Sequence, residues 1–225
     1  FYHNCFMNHY GVSLNFSYNS KQHNYYETRV PGRYFIEPWS TFISFSGFSD
    51  GRKPLRIYAE FSRTTQPEND HINNSLYYEL NYRLGRKLQF NYSTNITKET
   101  NNRGYVDMTE DKEIIYFAQR NIKTIQNVIG SSYSLNNRAG FNLRMRHYWS
   151  CADNKNYYQL QGDGTLSDDN TYNQNKDENY NAFNIDLIFR WIFAPGSELS
   201  LAWKNSIYSN CNSVTTSYWD NLDKT

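Results

Sequence analysis

The chain has 225 residues, and its 23 Lys and Arg against 22 Asp and Glu leave a formal charge of +1. That near-balance argues against a nucleic-acid groove built on bulk positive charge. Aromatics make up 18% of the residues, Asn occurs 30 times and mean hydropathy is −0.85, a mixture too aromatic for intrinsic disorder and too poor in aliphatics for a compact helical domain.

No stretch approaches the ~18 apolar residues that a membrane-spanning helix needs. The signal that recurs is period two. Tyr10, Val12, Leu14, Phe16 and Tyr18 alternate with Gly11, Ser13, Asn15 and Ser17, as in a strand with one apolar and one polar face. A less regular strand follows over Trp39–Phe48. Clean alternation returns with Leu55, Ile57, Ala59 and Phe61, then with Leu76, Leu80, Tyr82 and Leu84, and again with Leu88, Phe90, Tyr92 and Ile96. After a weaker stretch over Ile125–Leu135 come Phe141, Leu143, Met145, His147 and Trp149, then Phe183, Ile185, Leu187, Phe189 and Trp191, and finally Leu199, Leu201, Trp203 and Ile207. Nine strands are expected.

Tight links at Asp50-Gly51, Gly85-Arg86, Asn136-Asn137-Arg138 and Ala194-Pro195-Gly196-Ser197 are interleaved with long polar segments at 19–38, 65–74, 98–124 and 151–180. Strands of ~10 residues with short turns at one end and long loops at the other are the pattern of a transmembrane β-barrel. The fold expected is therefore all-β, an antiparallel up-and-down transmembrane β-barrel forming one region over 1–225. Single-chain bacterial barrels have even strand numbers and lipid tolerates no open edge. Nine strands, with no signal-peptide pattern at FYHNCFMNHYGV, read as an arc of a larger barrel. The alternative is a soluble β-sandwich with its apolar stripes packed inward. The crowding of Tyr and Trp toward strand ends favours lipid, and Tyr18, Trp39, Tyr82, Tyr92, Tyr133, Trp149, Trp191 and Trp203 are the expected interfacial aromatics.

The phrases VPGRYF (30–35), RHYWS (146–150), FAPGSEL (193–199) and YWDNL (218–222) resemble the C-terminal outer-membrane barrel of an uncharacterised family of Bacteroidota proteins. In that family the barrel follows a domain similar to a family-9 carbohydrate-binding module. The resemblance implies an outer-membrane location and outer-membrane lipid as the partner, with other surface proteins and carbohydrate as further candidates. It implies no activity, and nothing catalytic stands among the phrases.

If the apolar stripes meet lipid, the opposite stripes line a lumen, and they carry Arg56, Arg83, Arg144, Arg146, Arg190 and Lys204 with Glu60, Glu79 and Asp186. Two readings follow: a weakly anion-favouring interior or plug-docking wall, and the blander one, favoured here, in which Arg and Glu of adjacent strands pair off. His147 and Ser150 fall on opposite faces of a strand, so they cannot act as base and nucleophile. No GxSxG, HExxH or P-loop occurs, and no cofactor is implied. The acidic residues Asp163, Asp168, Asp169, Asp177 and Glu178 lack EF-hand spacing and read as a solvated loop. In that loop Tyr157, Tyr158 and Tyr172 are candidate contacts for a sugar or a partner. Cys151 and Cys211 sit beyond strand ends with a strand between them, which disfavours a bond. Function divides into a channel, transporter or membrane anchor on one side, and a soluble carbohydrate-binding sandwich on the other.

Overall fold

The computed structural model describes residues 2–7, 9–213 and 218. Its strands are β1 (Tyr2–Met7), β2 (Tyr10–Asn19), β3 (Gln22–Asn24), β4 (Phe35–Glu37), β5 (Ser40–Phe48), β6 (Leu55–Gln66), β7 (His71–Leu84), β8 (Leu88–Met108), β9 (Ile115–Asn136), β10 (Ala139–Leu160), β11 (Leu166–Asp168), β12 (Glu178–Ala194) and β13 (Ser197–Cys211). A one-turn 3₁₀ segment, Pro67–Asn69, joins β6 to β7. One antiparallel sheet runs in the order β1-β2-β5-β6-β7-β8-β9-β10-β12-β13, with β11 added beside β10, while β3 and β4 form a separate hairpin. Apart from the loops that hold β3, β4 and β11, each strand pairs with its neighbour in sequence. The sheet does not close among the described residues: β1 and β13 are its two edges.

All nine expected strands are present. Sequence reading missed β1, β3, β4 and β11, and it ended the central strands too early. The expected loops 65–74 and 98–124 shrink to the connections at 67–70 and 109–114, because β8, β9 and β10 run for 21, 22 and 22 residues. At ~3.3 Å per residue these strands reach about twice the ~10-residue span of a tilted membrane strand.

The hairpin ends are built from turn chemistry. Pro195-Gly196 links β12 to β13 with Gly196 at φ 76°, and Gly85 opens the β7–β8 turn at φ 65°, a region in which a Cβ is strained. Register then keeps every apolar stripe on one face. A cross-strand row runs Val12, Gly47, Ala59, Tyr78, Thr94, Asn127, His147, Phe183 and Ile207. It crosses β2 two residues after Tyr10 and β13 ten residues after Ser197, an offset of eight residues over eight strand spacings. With ~3.3 Å per residue and ~4.8 Å between strands, the line of hairpin turns is inclined by roughly 35° to the row.

Among the described residues no second large sheet packs on the apolar face. Phe45, Leu201 and Trp203 are 55%, 57% and 55% exposed there. Phe141 and Phe189 stack at 4.9 Å within the sheet rather than across layers, and Leu201, opposite Phe189, looks outward. The buried hydrophobic residues lie toward the long-strand end. Phe35, Ile115, Phe117, Tyr158 and Leu160 form one cluster, with Val30, Tyr105 and Leu166 against it, and Ile125, Trp149 and Cys151 form another.

Candidate functional site

Register puts the nine expected lumen residues on one face, opposite the apolar stripes. Arg56 faces Asn81, Glu60 faces Tyr77, Glu79 faces Tyr58 and Arg83 faces Gln89. Across the sheet Arg144, Asp186 and Lys204 stand in a single row, Arg146 faces Asn184 and Arg190 faces Ser200. Between these two groups lies a band of Asn91, Ser93, Gly130 and Ser132 on β8 and β9. The Asn91 amide lies over Gly130, 2.3 Å from where a Cβ would stand.

The expected Arg–Glu pairing does not organise this face. The Tyr58 hydroxyl donates to Glu60, and Tyr77 and Asn81 donate to Glu79. Arg83 donates to the Gly51 and Lys53 carbonyls at 3.0 Å each, tying β7 to the β5–β6 turn. Of the nine residues only Arg190 forms an ion pair among the described residues, and its partner is Glu198 near the start of β13. Tyr and Asn side chains two residues along the same strand reach a carboxylate without ordering two long charged chains, and side-chain entropy favours that solution.

Tyr82, Tyr133, Trp191, Trp203 and Tyr18 are exposed on the apolar face. Tyr18 packs on Trp39 with ring centroids 5.8 Å apart. Tyr92 is half-buried, its hydroxyl donating to Asn127 at 3.0 Å. Trp149 departs from the expectation. It is fully buried, its indole N–H donates to Asn179 at 2.7 Å, and the Lys123 ammonium sits 5.0 Å from its ring centroid. Tyr218 folds over this part of the face, accepting from Asn127 and bonding His147 Nδ1. His147 and Ser150 do point to opposite faces: the first bonds Asn181 and the second Thr124. Cys151 and Cys211 lie in one row with Asn179 between them, whose amide N–H donates to Cys211 Sγ at 3.7 Å, and Cys151 is a free thiol.

The three candidate loop tyrosines are structural rather than open. Tyr157 and Tyr158 belong to β10. Tyr158 is buried beside Phe117, with the Arg103 guanidinium 4.9 Å from its ring centroid. Tyr172 stacks between Tyr116 and Tyr157 at 4.5 and 4.7 Å and donates to Asp107 at 2.7 Å. Burial and the neighbouring Asp107 carboxylate push the Tyr172 phenol well above its usual range. The acidic residues of 151–180 cap separate turns: Asp163 takes the Thr165 N–H, and Asp169 the Thr171 and Tyr172 N–H groups. Among the described residues no three His, Cys, Asp or Glu side chains gather as a metal site would require.

Sequence reading did not find the lobe at the long-strand end. The β3–β4 hairpin leaves β2, passes β6, β7 and β8, and reaches β9 and β10. Gln66 donates to Glu37 at 3.3 Å. Glu27 accepts the Tyr105 N–H at 2.9 Å and lies 3.9 Å from Arg120. Arg33 donates to the carbonyls of Leu160 and Gln161 at 3.0 and 3.2 Å, and Phe35 packs on Phe117 at 5.2 Å. Gln66 and Arg120 carry polar-face register, whereas Phe117 lies eight residues before Ile125 on β9 and shares its apolar-face register, so the hairpin engages side chains of both registers at the long-strand end. Beneath it is a cleft of about 140 Å³ lined by Glu27, Glu37, Gln66, His71, Asn102 and Arg120 among others. His71 bridges Gln66 and Glu99 at 3.0 and 3.3 Å, and Asn102 links Glu99 to Arg120. Burial draws the Arg120 guanidinium below its usual value, opposed by Glu27, Glu99 and Glu178. Adjacent polar loops give no periodic signal for such an assembly.

A family model described as a domain of unknown function, DUF5916, matches residues 2–225. The chain belongs to that family. No curated protein and no solved structure matches it. What characterises this DUF5916 chain is its own geometry: a one-layer wall with a polar face, and a lobe packed on its long-strand end.

Proposed function

We propose that this DUF5916 chain is an arc of an outer-membrane β-barrel wall, acting as a gated conduit or membrane anchor whose polar face encloses a lumen and whose β3–β4 hairpin covers the mouth. The observation that carries the reading is the uncovered apolar face. Soluble monomers rarely leave contiguous apolar patches beyond a few hundred Å², yet large hydrophobic residues stand exposed on one face from Val12 of β2 to Ile207 of β13. Acyl chains are the solvent that makes such a surface stable.

Three further features support it. The roughly 35° inclination of the turn line falls at the lower end of the 35–45° tilt of barrel strands. Hairpin turns are short at one end and the connections carrying β3, β4 and β11 lie at the other, as in barrels with periplasmic turns and external loops. Hydrocarbon leaves no water for unpaired N–H and C=O groups, so the edges β1 and β13 require further strands as neighbours. The resemblance to Bacteroidota barrels attached to a family-9-like carbohydrate-binding module fits the same location.

Membrane fractionation of the full-length protein tests the proposal. It should stay with the outer-membrane pellet after alkaline carbonate and come into solution only with detergent. A monodisperse monomer in plain buffer would refute it and favour a soluble carbohydrate-binding domain, which glycan titration would then examine.

A further inference from the structure

Within the polar face one block combines clustered charge with a buried, unpaired donor. Arg144, Asp186 and Lys204 occupy one row across β10, β12 and β13, and the next row of the same face holds Arg146, Asn184 and Ser206. Three cations thus surround one carboxylate within a strand spacing or two. None of the four charged side chains forms an ion pair among the described residues, and the Arg146 Nε–H is sealed from water with no acceptor. On the same sheet Glu60, Glu79 and Arg190 all have partners. Donors here exceed acceptors, and a buried charged donor without an acceptor is costly.

We propose that this block is a binding site for a small oxyanion, phosphate or carboxylate, held by Arg144, Arg146 and Lys204. The inference rests on the polar face being the enclosed one, where a low dielectric strengthens charge-assisted bonds. Arg supplies a planar fork that matches two oxygens, Lys a point charge, and Asn184 and Ser206 neutral donors for the remaining lone pairs. Asp186 repels the anion and holds affinity down, as suits a solute that must also leave. The cleft at the block measures about 280 Å³, room for a small solute rather than a folded plug or peptide segment. A second cleft of about 540 Å³ shares Arg144, Asp186 and Lys204 and runs toward Asn91 and Ser93, so the site opens along the polar band.

The test is calorimetric titration of the detergent-solubilised full-length protein with inorganic phosphate and with citrate, at low ionic strength and with chloride as the reference anion. Binding of either over chloride is expected, and preference between them identifies the source of the anionic group. Arg146→Gln and Lys204→Gln should each weaken it at least tenfold, and Asp186→Asn should tighten it. Arg56→Gln, on the same face but on β6, should leave it unchanged, and far-ultraviolet circular dichroism checks that each variant folds. No binding by wild type, an unaffected Arg146→Gln, or equal weakening by Arg56→Gln would overturn the site. Detergent dependence is recorded on the same samples. A detergent-requiring protein without binding refutes the site alone, whereas a protein that binds yet is soluble in plain buffer refutes the membrane reading alone.

Discussion

The wall and the lobe are made from the same strands but are covered differently. Near the hairpin turns, β5 to β13 are one layer thick, with Phe45, Leu201 and Trp203 more than half exposed. Ten or so residues further along, the same β8, β9 and β10 carry fully buried Phe117 and Ile115 under Phe35. The difference teaches that the period-two stripe encodes an interface with the surroundings, while the lobe encodes a conventional core that protein atoms alone must fill. Mutations should therefore follow opposite rules in the two regions.

The largest separation is expected from truncation. Phe117→Ala leaves a cavity among Phe35, Tyr158 and Leu160 and should destabilise the lobe by about 3–5 kcal/mol. Leu201→Ala leaves no cavity in protein and should cost about 1–2 kcal/mol. Chemical denaturation in detergent, read by lobe tyrosine fluorescence and by strand content, distinguishes them; equal losses would erase the comparison. Charge placement comes next. Leu201→Arg on the apolar face should cost about 2–4 kcal/mol if lipid lies there, and assembly into membranes should fall. Ser93→Arg, facing Glu79 on the polar side, should be tolerated. Equal tolerance of both in a membrane-insertion assay would break the assignment of faces.

A smaller effect is expected from Gly104→Ala. Its Cβ would stand 2.2 Å from Arg120 Nη2 and 2.6 Å from Glu27 Oε1, so the network under the hairpin must shift, at about 1–3 kcal/mol. Faster proteolysis within 20–39, with the wall unchanged, is the readout. The smallest is a pH response. The Thr171 hydroxyl, the Gln159 amide and the Thr171 N–H hold the Asp169 carboxyl below the usual carboxylate value. A depressed folded value contributes stability that is complete above about pH 4 and is lost as pH falls toward the folded value. Hydrogen exchange at Thr171 and Tyr172 should therefore quicken below about pH 4, and Asp169→Asn should remove that dependence.

The wall was legible in the sequence because one side chain in two is apolar and left uncovered by protein, and stripes such as Leu199-Leu201-Trp203 show it directly. Strand register keeps all nine charged residues on one face. Alternation failed where both faces meet protein or water. Thr97 to Arg103 is polar throughout, so the continuation of β8 past Ile96 has no periodic trace, and a register shift between Glu99 and Asn102 interrupts it further. Trp149 reads as interfacial by position, but Tyr218, 69 residues later in sequence, covers it. The cleft under the hairpin joins Glu37, His71, Asn102 and Arg120, positions too far apart in sequence for spacing to bring them together. The partners of the charges were also hidden, since alternation gives the face of a side chain and not the neighbour it selects.

The most direct measurement is the accessibility of spin labels placed one at a time along β13 from Leu199 to Ile207, in liposomes holding the full-length protein. Labels at 199, 201, 203 and 207 should collide with lipid-soluble oxygen, and those at 200, 202, 204 and 206 with a water-soluble nickel complex. Odd positions shielded from both reagents would mean a dry protein interior, and the membrane wall would be refuted.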